Sequence, residues 1–161
     1  MGSTGTELGH NDGVDAVSAE QLLRLPVRLR GIDLGHAVDV ILDPEGRRAL
    51  GLDVYCKDES HRFLPLTAAQ VGTDEIAVSS SLTLLASDEL AFYRKSASTL
   101  RLLRGASVQL KGEHVGRLED VTVSPSGAIA ALIVDNGDGL QSYALDNALR
   151  IVADSRRSSA A

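Results

Sequence analysis

The chain has 161 residues, 43% of them apolar and only 3% aromatic, with no Trp, one Cys and a formal charge of −6. That length suits one ordinary domain or two small ones, with a core built from Val, Leu, Ile and Ala and no aromatic stacking surface on offer. The charge is local: residues 1–21 carry −4, 22–86 carry −2, 87–153 carry −1 and 154–161 carry +1. A body so near neutrality lacks the basic field of a phosphate-backbone binder, which argues against nucleic acid as a partner.

Residues 1–21 are Gly-rich, acidic and aperiodic, and they read as a disordered tail, as do residues 154–161, "DSRRSSAA". The start shows no secretory pattern. No run approaches the apolar length of a membrane helix. Cys56 stands alone, which excludes an intrachain disulfide and fits a reducing, cytoplasmic setting.

From Leu22 onward the chain repeats itself. "GHAVDVILDPEG" (35–46) and "GRLEDVTVSPSG" (116–127) share Gly35/Gly116, Asp39/Asp120, Val40/Val121, Pro44/Pro125 and Gly46/Gly127 at a constant offset of 81. The match runs ungapped from Leu22 to Val54, placing Leu52 on Ile133. A one-residue slip then sets Phe63 on Tyr143. Two copies at so long a period indicate a duplicated domain rather than a solenoid.

Each copy reads as short β-strands punctuated by Gly, Pro and Asp. Asp43-Pro44-Glu45-Gly46 and Ser124-Pro125-Ser126-Gly127 suit type I turns at the elbow of a hairpin. Strict alternation would turn Asp120 inward with Leu118 and leave Val121 and Val123 outside. A β-bulge at Glu119 and Asp120 resets the phase so that Leu118, Val121 and Val123 face the core, and Ala37, Val40 and Leu42 repeat that spacing. Asp39 and Asp120 are then structural acceptors for nearby backbone N–H groups that the bulge leaves unpaired.

Between the copies, Ser87 to Gly105 predicts a helix over 87–96 and a further turn before Gly105. Ser87 is the expected N-cap, and Leu90, Tyr93, Ala97 and Leu100 share the packing face. Tyr93 and Phe92 are both expected to pack.

With these motifs in place, the chain resembles the PRC-barrel family. One copy shows Gly35, Ala37, Asp39, Val40 and Gly46 followed by "RALGLDVYC". The other shows Gly116, Leu118, Asp120, Val121 and Gly127 followed by "AIAALIVD". The resemblance spans about residues 22–153. It implies a mainly β fold of two tandem small barrels, 22–86 and 106–153, joined by a helical linker, 87–105. Its members include the cytoplasmic domain of a photosynthetic reaction-centre subunit, a domain of a ribosome-maturation factor and archaeal cell-division adaptors. They resemble one another as binding platforms without chemistry of their own.

The residues themselves give no catalytic constellation. His10, His36, His61 and His114 lack metal-ligand spacing, Cys56 has no zinc partner, and "DNGDG" (135–139) reads as a tight turn rather than a calcium loop. No cofactor is implied. Arg24, Arg28, Arg30, Arg47 and Arg48 would form a basic cluster if the opening strand neighbours the strand after the elbow, and only Lys111 survives at the aligned positions of the second copy. The expected function is a non-enzymatic adaptor that binds another protein through a barrel face, with a ribosome- or RNA-associated assembly role as the alternative. Self-association stays compatible with the sequence.

Overall fold

A computed structural model describes residues 16–152. The rest of the expected tails lies outside these residues. The fold is mainly β, arranged as two sheets. The first copy contributes β2 (Pro26–Leu29), β3 (Ile32–Leu42), β4 (Ala49–Cys56), β5 (His61–Pro65), β6 (Gln70–Val71) and β7 (Ile76–Ala77), in the order β5-β4-β3-β2-β7-β6. The second contributes β9 (Ser107–Leu110), β10 (Glu113–Val123), β11 (Ile129–Asp135), β12 (Leu140–Ala144) and β13 (Leu149–Val152), in the order β12-β11-β10-β9-β13. Both orders are open paths, so the closed rings expected of two barrels are not seen among the described residues.

The bulges fall where the alternation requires them. Register shifts separate Ala37 from Asp39 and Leu118 from Asp120, and Ala37, Val40, Leu42, Leu118, Val121 and Val123 are all buried. Both elbows close as expected, with Gly46 N–H donating to Asp43 O and Gly127 N–H to Ser124 O, each at 2.9 Å. Gly46 and Gly127 have φ of 73° and 93°, a left-handed geometry that glycine adopts without a Cβ penalty.

Pairing places the slips differently from the sequence match. Val40 opposes Leu52 and Val121 opposes Leu132, so Leu52 corresponds to Leu132, not Ile133. Asp39, Asp53 and Phe63 lie abreast, as do Asp120, Ile133 and Ser142. Phe63 therefore corresponds to Ser142, and buried Leu64 to Tyr143. The second copy is one residue shorter at the elbow, where Arg47 is the extra residue of the first, and one shorter again before β12.

The leader of each copy docks on the other copy. β1 (Val17–Ser18) and the helical turn α1 (Ala19–Leu22) precede the first copy, yet Val17 and Ser18 pair with Val123 and Thr122. β8 (Ser98–Thr99) and α3 (Leu100–Leu103) precede the second, yet Ser98 and Thr99 pair with Leu42 and Ile41. Residues 16–21 are thus ordered structure, not part of a tail, and Ala19 and Leu22 are core residues. The leader is short and follows an acidic, Gly-rich stretch, so its composition hid it.

Asp39 and Asp120 fasten these exchanged leaders. Asp39 Oδ1 accepts from Val40 N–H at 2.9 Å and from Arg101 N–H, in α3, at 3.2 Å. Asp120 Oδ1 accepts from Val121 N–H at 2.8 Å, and its Oδ2 from Glu20 N–H, in α1, at 3.3 Å. Between the elbows, Arg48 pairs with Ala128, its own counterpart, with Ala49 N–H donating to Gly127 O and Ile129 N–H to Arg47 O. These reciprocal contacts describe a pseudo-twofold, and one apolar cluster runs through both copies, from Val27, Val40 and Leu52 to Val108, Val121 and Leu132.

A fold with one shared core should unfold as one unit. Calorimetry is expected to give a single transition with equal calorimetric and van't Hoff enthalpies, and an isolated fragment of residues 87–161 should melt well below the full chain. Two resolved transitions would show that the copies are independent.

The two carboxylates make a sharper case. Burial pushes the carboxyls of Asp39 and Asp120 above the ordinary 3.8, opposed by their backbone N–H donors. Because the folded-state pKa is raised, ionisation at neutral pH weakens the folded state relative to the protonated form. That loss is recovered as pH falls through the folded pKa toward 3.8. An amide has one acceptor oxygen, which can keep both backbone donors of Asp39 because they share Oδ1, while the Thr99 hydroxyl that also bonds this carboxyl can accept from the amide nitrogen; it cannot keep both donors of Asp120, which are split between its oxygens. Asp39→Asn should therefore cost about 1 kcal/mol or less and Asp120→Asn about 1–3 kcal/mol. In urea titrations the wild type should gain on Asp39→Asn as pH falls from about 7 to about 4.

Candidate functional site: a sealed outer face and an open one

The copies share a core but differ on their outer faces. α2 (Ser87–Ser96) lies over β5 of the first copy, burying Leu90 with Ile41 and Phe63, and Tyr93 stacks on Phe63 with ring centroids 4.3 Å apart and planes at 14°. The helix bounds match the sequence reading. Its cap does not: Ala86 holds the N-cap position, and Ser87 is the first helical residue. Phe92 is 62% exposed and lies outside the buried cluster, its ring meeting that of Tyr93 edge-on at 5.4 Å. Leu85 seals the edge of β5, with Phe63 N–H donating to Leu85 O at 3.1 Å and Leu85 N–H to Phe63 O at 2.8 Å.

α2 also brings a charge. Asp53, only 1% exposed, pairs with Arg94 of this helix and accepts from His61 Nδ1 at 2.8 Å. The ring of Tyr55 lies 5.1 Å from that of His61. Asp53 orients the half-exposed imidazole through Nδ1, but no described hydrogen bond links this ring to a hydroxyl or thiol. The Ser–His pair of the second copy, Ser107 Oγ to His114 Nδ1 at 2.7 Å, lies in the other sheet. Among the described residues, no three His, Cys, Asp or Glu side chains converge as metal ligands. Sequence reasoning missed the Asp53 cluster because its members lie on β4, β5 and α2. The one signal was a lone Asp in a run whose aligned residues in the second copy are apolar, Ile133 being its counterpart by strand pairing.

The arginines do not assemble. β3 lies between β2 and β4, so the opening strand and the strand after the elbow are not neighbours. Arg24 pairs with Glu20 at 3.0 Å, and Arg28 with Glu75 at 3.5 Å. Arg30 is not on the strand face with Arg28: with φ of 51° it forms a tight turn with Gly31, as Lys111 does with Gly112. Arg47 donates to the carbonyls of Asp146 and Leu149, and Arg48 to that of Ser126, so both hold the copies together. Pro44 and Pro125 sit at the rims of two grooves between the copies, one reaching Leu149 and Ile151 and the other Leu66 and Val71. Gly35 and Gly116 have φ of 154° and 150° where β3 and β10 pass closely over Tyr55 and Asp135.

On the second copy, the positions equivalent to the sealed ones carry Thr122, Ile133 and Ser142, half-buried or exposed, with Leu140 60% exposed beside them. β12 ends its sheet, and nothing described pairs with its outer side. Comparison with protein-family models finds no match, and none of the curated proteins matches the chain. No described helix is long and apolar enough to cross a membrane.

The buried carboxylate yields a stability test. Arg94→Met leaves Asp53 with only His61 and should cost about 2–3 kcal/mol, below the full penalty for breaking a buried pair because Arg94 is half exposed. Adding Asp53→Ile, the residue type of the second copy, should recover most of that loss in chemical denaturation. No recovery would show that Arg94 acts through packing alone.

Proposed function

We propose that the protein is a cytoplasmic, non-enzymatic adaptor, a tandem PRC-barrel-type module that holds a partner protein on the outer face of its second copy. The carrying observation is the asymmetry of the outer faces among the described residues: equivalent positions are sealed by α2 and Leu85 in the first copy, whereas in the second they are half-buried or exposed and no described helix lies over them. A duplicated fold that covers one face and leaves its twin open offers a single oriented platform. The PRC-barrel reading is supported by the Gly, bulged Asp-Val and elbow recurring at equivalent positions of both copies.

The RNA-associated reading rests on the resemblance to one branch of the PRC-barrel family and on the arginine cluster. With Arg47 and Arg48 committed to the interface between the copies and Arg24 and Arg28 paired to carboxylates, the adaptor reading has the stronger support.

The test is affinity capture from the native host with three baits: wild type, Leu140→Glu and the Arg24→Glu/Arg28→Glu pair. A protein retained by the wild type and the arginine variant but lost with Leu140→Glu is expected. Loss with the arginine variant instead would move the site to the first copy. Retention of single-stranded RNA at physiological salt in a gel shift would favour the RNA reading.

A further inference from the structure

We infer that the outer edge of β12 accepts an extended peptide strand with basic residues at both ends, by antiparallel addition centred on Ser142. This rests on the adaptor reading and names the chemistry of its partner.

The direction of the backbone groups follows from the hairpin. Leu145 N–H donates to Ala130 O and Asn136 N–H to Gly139 O, so alternation turns Gln141 and Tyr143 toward β11. Leu140, Ser142 and Ala144 then present their N–H and C=O groups outward. Ser142 is the counterpart of Phe63, whose outward N–H and C=O both bond to Leu85. The first copy thus carries, within the chain, the antiparallel pairing that no described residue supplies in the second copy.

Edge strands that must stay unpaired carry Lys, Pro or a bulge. β12 reads Leu-Gln-Ser-Tyr-Ala and keeps an unbroken register with β11 over all five residues. Its flanking charges stand beyond its ends instead, Asp138 before it and Asp146 after it, with Asp135 abreast of Leu140 at the end of β11, and none of the three forms an ion pair with another described residue. Antiparallel pairing of two copies about Ser142 would set Asp138 against Asp146 of the other chain at both ends. Like charges there disfavour a second copy, and Lys or Arg flanking an incoming strand is favoured. The backbone supplies the pairing and the flanking carboxylates supply the selection, the usual division in strand addition.

The experiment titrates the full chain with a short Thr/Val peptide bearing Lys and Arg at both ends, against a twin bearing Glu and Asp, by fluorescence anisotropy and amide NMR. Expected are amide shifts centred on Leu140, Ser142 and Ala144, at least about tenfold weaker binding of the acidic twin, and weakening of the basic peptide by salt. Ser142→Pro removes an outward donor while sparing the β11 ladder and should weaken binding at least about tenfold, whereas Ser142→Thr should not. A basic peptide N-methylated along its pairing edge should fail in the same way, a control independent of the variant's folding. Binding unchanged by Ser142→Pro and by N-methylation, equal affinity for both peptides, or shifts away from β12 would overturn the proposal. A dimer in sedimentation that Ser142→Pro dissociates would assign the edge to a second copy and overturn it as well. Neither peptide binding while a Leu140-dependent partner is still captured would leave the adaptor reading standing without the strand.

Discussion

The arrangement of this molecule depends on a carboxylate at a bulge. Asp39 and Asp120 sit where β3 and β10 break register, and each bonds both the N–H beside it and an N–H of the leader turn that belongs to the other copy. A helix cap contributes about 0.5–2 kcal/mol, small beside the shared apolar core. What it fixes is which leader docks where. α1 and α3 are four residues long, too short to hold a position by their own helicity. The carboxylate, the two-residue strand pairing and a buried Leu22 or Leu103 place each of them. Holding the charge there has a cost, seen in the raised carboxyl pKa, and the backbone donors offset part of it.

Interlocking explains why the copies could diverge outside the core. With the core and the elbows shared, the outer faces were free to change. A linker helix between two copies exists once, so it can cover one face only. The first copy answers α2 with Phe63 under Tyr93 and with Asp53 facing Arg94. The second has Ser142 and Ile133 at those positions, small or neutral side chains that need no cover. Arg47, the extra residue of the first elbow, reaches carbonyls at the end of the second copy and makes the interface itself unequal.

What was legible in the sequence was local. The elbow turns follow from Asp-Pro-x-Gly and Ser-Pro-x-Gly, the bulges from a phase conflict within a few residues, and α2 from its periodicity. The exchange of leaders was not legible, because Asp120 and Glu20 stand a hundred positions apart and docking on the same copy would read identically. The slips were misplaced because Leu52 matches Ile133 and Leu132 equally well by hydropathy, and only pairing across β3 and β10 decides between them. The arginine cluster assumed that strands close in sequence are neighbours, whereas a hairpin puts its own first strand between them. For the open edge, the sequence held the uncharged β12 and its flanking acids, but not the fact that Leu85 closes the equivalent edge of its twin.

An interlocked body also bears on how an edge can serve recognition. β12 is held by a regular ladder to β11, which is held in turn by β10, the strand that carries Asp120 and receives β1. The platform is ordered before anything binds, so the entropy of association falls mainly on the incoming segment. Pairing through backbone groups alone would accept any extended chain. Selection has to come from a difference between partners, and carboxylates beyond the strand ends provide one without interrupting the ladder. They favour basic flanks, oppose acidic ones and hinder pairing between identical chains. A charge placed within β12 would protect the edge more strongly, but it would also close the surface to every strand.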